Sequence, residues 1–209
     1  MASFAKPPTL NDDQRAVDIY RAAAKIIRSK GFDATSMGDI AEAVDLTKGG
    51  LYYYIKGKEA LLFAIMSFAT ERLESRVLQP AAEIADPEKR LATLISKHVE
   101  LMLDEPSAMV VLADEEERLN SQHRPRIAER KQHFADTLCD HVAAVLDARG
   151  SDELDPEIAA ASLRVLAEGV VRWFDPKGGP SRHEVARQVT RMALQSLESV
   201  NQLDHAAVA

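Results

Sequence analysis

Only one cysteine, Cys139, occurs in the 209 residues, so neither an intrachain disulfide nor a paired-cysteine zinc site can form. Its apolar-periodic surroundings read as a small buried side chain rather than a reactive thiol. No apolar run is long enough to span a bilayer, and the start, MASFAKPPTL, lacks the features of a signal peptide. A cytoplasmic protein without a membrane partner is expected. There is no P-loop, no G-x-S-x-G and no H-E-x-x-H. His133 and His141 stand eight apart, whereas two metal ligands on one helix are more often three or four apart. The carboxylate-dense run DEEER at 114–118 reads as a charged helix face. The expectation is therefore no enzyme, no metal and no cofactor. Aromatic residues make up only 5% of the chain, yet three tyrosines stand in a row at 52–54, directly after Gly49-Gly50-Leu51.

Hydrophobic residues at 46% and charged residues at 28% suit a globular protein with a sizeable core. The formal net charge is −7, but it is unevenly spread. Residues 1–58 carry nine Lys and Arg against seven Asp and Glu, a net of +2, and the remainder carries 17 against 26, a net of −9. A basic head on an acidic body fits a protein that presents its first quarter to a polyanion.

Almost every segment reads as helix. Ile19, Ala23 and Ile26/Ile27 mark a first one, with Asn11 to Asp13 favouring its start and Gly31 its end. Ser36 and Asp39 form an S-x-x-D capping pattern before a short helix, 36–44. A turn and a second short helix, 48–55, follow, and a long helix over 58–79 stops before Pro80. Asp86-Pro87 and Asp155-Pro156 each open a helix with Pro in the first position. Gly150 closes another, Ser181 and Glu184 cap the last, over 182–200, and the tail 201–209 reads as frayed. The fold class is all-α, with about nine helices.

Stepping round 48–55 at about 100° per residue puts Leu51 and Ile55 on one side as core anchors. Tyr53 points nearly opposite, on the same face as Gly49, while Tyr52 stacks above Lys48 and Tyr54 lands at the core edge. Each glycine costs about 1 kcal/mol relative to alanine in a helix interior. Something that must approach closely, such as a DNA major groove, would account for that cost; a solvated helix start would as well. The preceding segment favours DNA, because helix 36–44, a three-residue turn and helix 48–55 have the dimensions of a helix-turn-helix.

These residues resemble the tetracycline-repressor (TetR) family. Gly31-Phe32, Thr35-Ser36, Asp39-Ile40-Ala41, Lys48-Gly49, Leu51-Tyr52, Tyr54 and Lys58-Glu59 match its DNA-binding pattern. The resemblance implies an N-terminal helix-turn-helix domain, 1–57 with the motif at 36–55, and a helical effector-binding and dimerisation domain, 58–209. It further implies phosphate contacts from Thr35, Ser36, Tyr53, Tyr54 and Lys58, and base-edge contacts from Thr47, Lys48, Gly49, Gly50 and Tyr52. For Lys58 a solvated cation, and for Tyr54 a packing role, stand as alternatives. Asp45 replaces the usual turn glycine and can take the left-handed conformation at modest cost. Gly38 replaces a longer side chain and shifts reading onto Lys48, Tyr52 and Tyr53.

The resemblance also implies a homodimer on a palindromic operator. The stripe Leu163, Ala167, Val170, Val185, Val189, Met192 and Ala193 reads either as core or as dimer interface. A second resemblance, over 168–185 and 110–134, is to family members that answer to acyl-coenzyme A thioesters. Arg172 offers a phosphate partner and Trp173 a stacking surface; Phe68, Met102, Met109, Val110 and Leu166 are further pocket candidates. The expectation is a repressor released from DNA by such an effector. Its alternatives are a regulator sensing a hydrophobic drug or signal, and an all-α enzyme with a relic head.

Overall fold

A computed structural model describes residues 14–198. The elements are α1 (Gln14–Lys30), α2 (Met37–Ala43), α3 (Lys48–Tyr54), α4 (Lys58–Leu73), α5 (Gln79–Ala82), α6 (Pro87–Asp104), α7 (Pro106–Asp114), α8 (Arg124–Arg149), α9 (Pro156–Glu168) and α10 (Arg182–Gln195). A π-helical turn, Glu74–Leu78, joins α4 to α5 without a break, and 3-10 turns follow α7 (Glu116–Arg118) and α9 (Gly169–Arg172). The described residues thus form nine separate helices and no strand, the all-α fold expected. The expected helix start at Asn11 to Asp13 and the tail 201–209 lie outside the described residues.

Caps set most boundaries. The Asp155 carboxylate accepts from the backbone N–H of Glu157 and Ile158 at 2.8 and 3.1 Å, and that of Asp86 from Lys89 at 2.9 Å. Ser181 accepts from the Glu184 N–H at 3.2 Å, but the Glu184 carboxylate turns to Arg187 instead of completing a reciprocal box. The long helix differs from expectation, running past Pro80 to Ala82. The Gln79 N–H donates to the Glu74 carbonyl, five residues back. This wider register lets a proline, which has no N–H and whose ring crowds the carbonyl four residues back, sit inside a helix.

Two compact units divide the chain. The first comprises residues up to Arg72 with Glu105–Lys131; the second comprises Leu73–Asp104 with residues from Gln132 onward. In the first unit α1 packs on α2 and α7, and α2 packs on α3. Ile19, Ala23, Ile27, Ile40, Leu51, Leu61, Leu62, Ile65 and Phe68 form its core. Glu105, buried at the start of α7, accepts from Arg21 Nε at 3.0 and 3.1 Å through its two oxygens. This fork ties α1 to α7, and the carboxylate holds the guanidinium pKa above its ordinary value.

In the second unit α10 packs along α6, beside α9. Leu91, Leu94, Val99, Val142, Val145, Val170 and Ala186 are buried there. His98 is buried too, its ring edge-on to Phe134 at 4.8 Å. Burial first, then the charge of Arg164, pushes its pKa down to about 4. An exposed imidazole titrates near 6.5, so between these values the unfolded chain binds a proton that the folded chain refuses. This contribution to stability is complete above about pH 6.5 and is lost as pH falls towards 4, by on the order of 2–3 kcal/mol. We expect thermal melts of His98→Leu to show a weaker fall in stability from pH 7 to pH 5 than the natural chain shows; parallel profiles would refute the assignment.

Candidate nucleic-acid interface

The first unit carries a braced helix-turn-helix. Gly31 ends α1 at φ +81, with its N–H on the Ile27 carbonyl at 2.7 Å. Ser36 then opens α2 with a reciprocal box: its hydroxyl accepts from the Asp39 N–H at 3.1 Å, and its own N–H donates to the Asp39 carboxylate at 2.9 Å. Lys30 Nζ also donates to Asp39, at 2.6 Å. That bond, with the Ser36 contacts behind it, holds the Asp39 pKa down at about 2. The turn after α2 places Asp45 at φ +52, while the Leu46 N–H reaches back to the Ala41 carbonyl at 2.9 Å. Aspartate thus takes the left-handed conformation at this corner, as expected.

Thr47 caps α3 by accepting from the Gly50 N–H at 3.0 Å. Leu51 alone of α3 is fully buried, worth about 2 kcal/mol of anchoring. Ile55, expected as a second anchor within the helix, instead leaves it in an extended conformation (φ −136, ψ 121) and is half-buried. A β-branched residue is at ease in that geometry. Tyr53 is the most exposed tyrosine at 85%, as the wheel indicates, whereas Tyr52 at 42% and Tyr54 at 39% are nearly alike. The Tyr54 ring also stands edge-on to Tyr53, centroids 5.4 Å apart.

The two glycines of α3 differ. A Cβ on Gly50 would lie 3.3 Å from the Thr47 hydroxyl oxygen and 3.8 Å from Leu46, so this glycine serves the cap. A Cβ on Gly49 would meet nothing within 4 Å. Nothing within the described chain demands glycine there, and its face, shared with exposed Lys48 and Tyr53, is open.

Two expected phosphate contacts point inward instead. Thr35 is only 2% exposed, and its hydroxyl donates to the Gly31 carbonyl at 2.8 Å. Lys58, half-buried, turns back onto the loop. Its ammonium donates to the carbonyls of Phe32 (2.9 Å) and Asp33 (3.2 Å) and lies 4.4 Å from the Phe32 ring centroid. Both residues brace the loop before α2. The structure adds residues that sequence reading missed. Glu115 accepts from the Phe32 N–H, and Arg118 pairs with Asp33 at 3.0 Å. Glu59 accepts from the Asn120 N–H and pairs with His123, both at 3.0 Å. These contacts are 61–85 residues apart in the chain, and no local pattern signals them.

Among the expected effector contacts, Phe68, Met109 and Val110 lie in the first unit, and Met102, Leu166, Arg172 and Trp173 in the second. Phe68, Met102 and Met109 are buried, Val110 and Leu166 half-buried, and Arg172 and Trp173 exposed. A surface cavity of about 300 Å³ is lined by residues 174–182, and none of the seven lines it. In the expected dimer stripe, Leu163, Ala167, Val170, Val185, Val189 and Ala193 are buried within the protomer; only Met192 is exposed. Those six belong to the core. The exposed apolar face of α9 is instead formed by Ile158 and Val165, the latter 62% exposed.

A short helix held by one buried leucine, with its cation, glycine and tyrosine hydroxyls outward, defines a helix-turn-helix DNA-binding protein. Residues 19–65 match bacterial regulatory proteins of the tetR family, and residues 85–197 match the tetracyclin repressor-like C-terminal domain. The chain belongs to the tetracycline-repressor (TetR) family. It is similar to the HTH-type transcriptional repressor KstR2 of Rhodococcus jostii (strain RHA1), at 27% identity over 199 residues, 92% of this chain and 98% of that protein. It is also similar to AibR, solved in complex with isovaleryl coenzyme A and operator DNA: 30% identity, TM-score 0.75, 86% of this chain and 97% of that one. PfmR from Thermus thermophilus shares 26% identity and a TM-score of 0.76, over 87% of this chain and 99% of its own.

The glycine contrast makes a stability prediction. Gly49→Ala removes a glycine cost of about 1 kcal/mol and meets no obstruction. Gly50→Ala gains the same propensity but presses on a cap worth about 1 kcal/mol. Thermal melts should rank Gly49→Ala above Gly50→Ala, and the opposite order would contradict this reading of the two sites.

Proposed function

We propose that the chain is a cytoplasmic, homodimeric transcriptional repressor, not an enzyme, that leaves a palindromic operator when a small-molecule effector binds. The observation that carries this reading is the α3 face, where Gly49 has open space in place of a packing role. Thr47, Lys48, Gly49, Gly50 and Tyr52 face base edges, and Ser36, Tyr53 and Tyr54 direct hydroxyls to phosphates. The DNA-binding head spans 1–57 and the effector and dimerisation part 58–209. A partner copy docks on the exposed side of α9 and α10, at Ile158, Val165 and Met192, because burial of the other stripe leaves these apolar side chains uncovered.

The effector is an acyl-coenzyme A thioester. Arg172 and Trp173 support it, since both are exposed in the second unit and next to each other, giving a cation for a phosphate and a ring for a base. AibR, a similar chain, binds isovaleryl coenzyme A. The thioester acts by binding more tightly to the DNA-free state than to the DNA-bound one, which releases the operator.

The test is a gel shift on the DNA upstream of the protein's own gene. The natural chain should bind, and Lys48→Ala with Tyr52→Ala should abolish the shift. Val165→Asp should sediment as a monomer and bind at least tenfold more weakly, since one half-site holds it instead of two. Isovaleryl and longer acyl-coenzyme A thioesters should release the DNA where free acids do not, and Arg172→Ala should blunt the release. Release by free acids or apolar drugs alone would replace the thioester with the hydrophobic-signal reading.

A further inference from the structure

We infer that Glu115, within the acidic run 114–118, is a positioning residue for DNA binding. Its carboxylate holds the loop that delivers α2 and α3; the inference rests on the operator-binding reading above. The loop Gly31–Thr35 is short, and several of its polar groups are bonded. The Gly31 carbonyl accepts from the Thr35 hydroxyl, and the Phe32 carbonyl from the Thr35 N–H (3.1 Å) and Lys58. The Asp33 carbonyl also accepts from Lys58, and its carboxylate pairs with Arg118. The Phe32 N–H donates to Glu115 Oε1 at 3.3 Å, the bond that ties this loop to the end of α7.

Glu115 is itself well fixed. It stands at the end of α7, its N–H on the Val111 carbonyl at 3.1 Å, with Arg118 Nε 3.9 Å from its carboxylate. α7 packs along α1 and is tied to it by the Arg21–Glu105 fork. The carboxylate therefore reaches the loop from a braced helix 83 residues further along the chain. Ser36, with its exposed hydroxyl and its cap on α2, is the next residue after that loop. Loosening the Phe32 N–H frees the segment that sets where the helix pair stands.

The sign of the effect makes the inference decidable. Removing a carboxylate from a DNA-binding unit should, by long-range electrostatics alone, tighten binding to a polyanion. Positioning requires the opposite. The experiment uses the full chain and a duplex selected from a random library, with binding read by fluorescence anisotropy. Glu115→Ala should weaken binding roughly tenfold, the scale of one hydrogen bond to a charged acceptor. Glu115→Gln keeps an acceptor oxygen and loses the charge, so it should bind as well as the natural chain or better. Amide exchange at Phe32 should quicken in Glu115→Ala and not in Glu115→Gln. If the alanine variant does not fold, Glu115→Met, which fills the volume without an acceptor, carries the same expectation. Binding by the alanine or methionine variant as tight as the natural chain's overturns the inference alone, as does equal weakening by Glu115→Gln. Failure to select any duplex removes the operator reading and this inference together.

Discussion

Two helices of seven residues each, α2 and α3, cannot persist by their own hydrogen bonds. Everything the DNA face does depends on tertiary bracing of this pair. Ile40 and Leu51 lock them into the first unit's core, the Ser36–Asp39 box and the Thr47 cap close their starts, and left-handed Asp45 makes the corner between them. The loop that precedes them is tied by Thr35, Lys58 and Glu115, from three separate places in the sequence. With the inner side so fully held, the outer side is left for recognition.

This bracing explains how α3 tolerates a composition that works against a helix. Two glycines cost about 2 kcal/mol of propensity. Full burial of Leu51 contributes about as much, and the Thr47 cap about 1 kcal/mol more. The balance favours the helix only while it stays docked, so the face is preorganised in the absence of DNA. The tyrosines follow the same division: Tyr54, the least exposed, supports the ring of Tyr53, the most exposed.

Much of this was legible in the sequence, because caps, corners and helical faces are local. S-x-x-D at 36–39, Asp-Pro at 86 and 155, and the outward turn of Tyr53 all follow from neighbours within four residues. Partner choice at longer range was not. A Thr-Ser pair before a helix does not say which hydroxyl turns inward; Thr35 does, because the Gly31 carbonyl is within reach. Lys58 looks like a surface cation until Phe32 and Asp33 present their carbonyls to it. The small-residue stripe of α9 and α10 satisfies core and interface equally by periodicity, and only the packing of α10 on α6 and α9 decided for core. The run 114–118 reads as a charged helix face, yet Glu115 and Arg118 are loop braces. Pro80 marked a helix end because the π-helical turn that accommodates it carries no local signature.

In the proposed function a preorganised α3 enters the major groove with Lys48, Gly49, Tyr52 and Tyr53 leading. Interference by 7-deazapurine substitution tests it most directly, because that change removes the N7 acceptor from the major groove and leaves the minor groove intact. Two clusters of interfering positions are expected, one in each half of the operator and related by its two-fold symmetry. Binding unaffected by every 7-deaza substitution, with interference only from minor-groove modification, would contradict it.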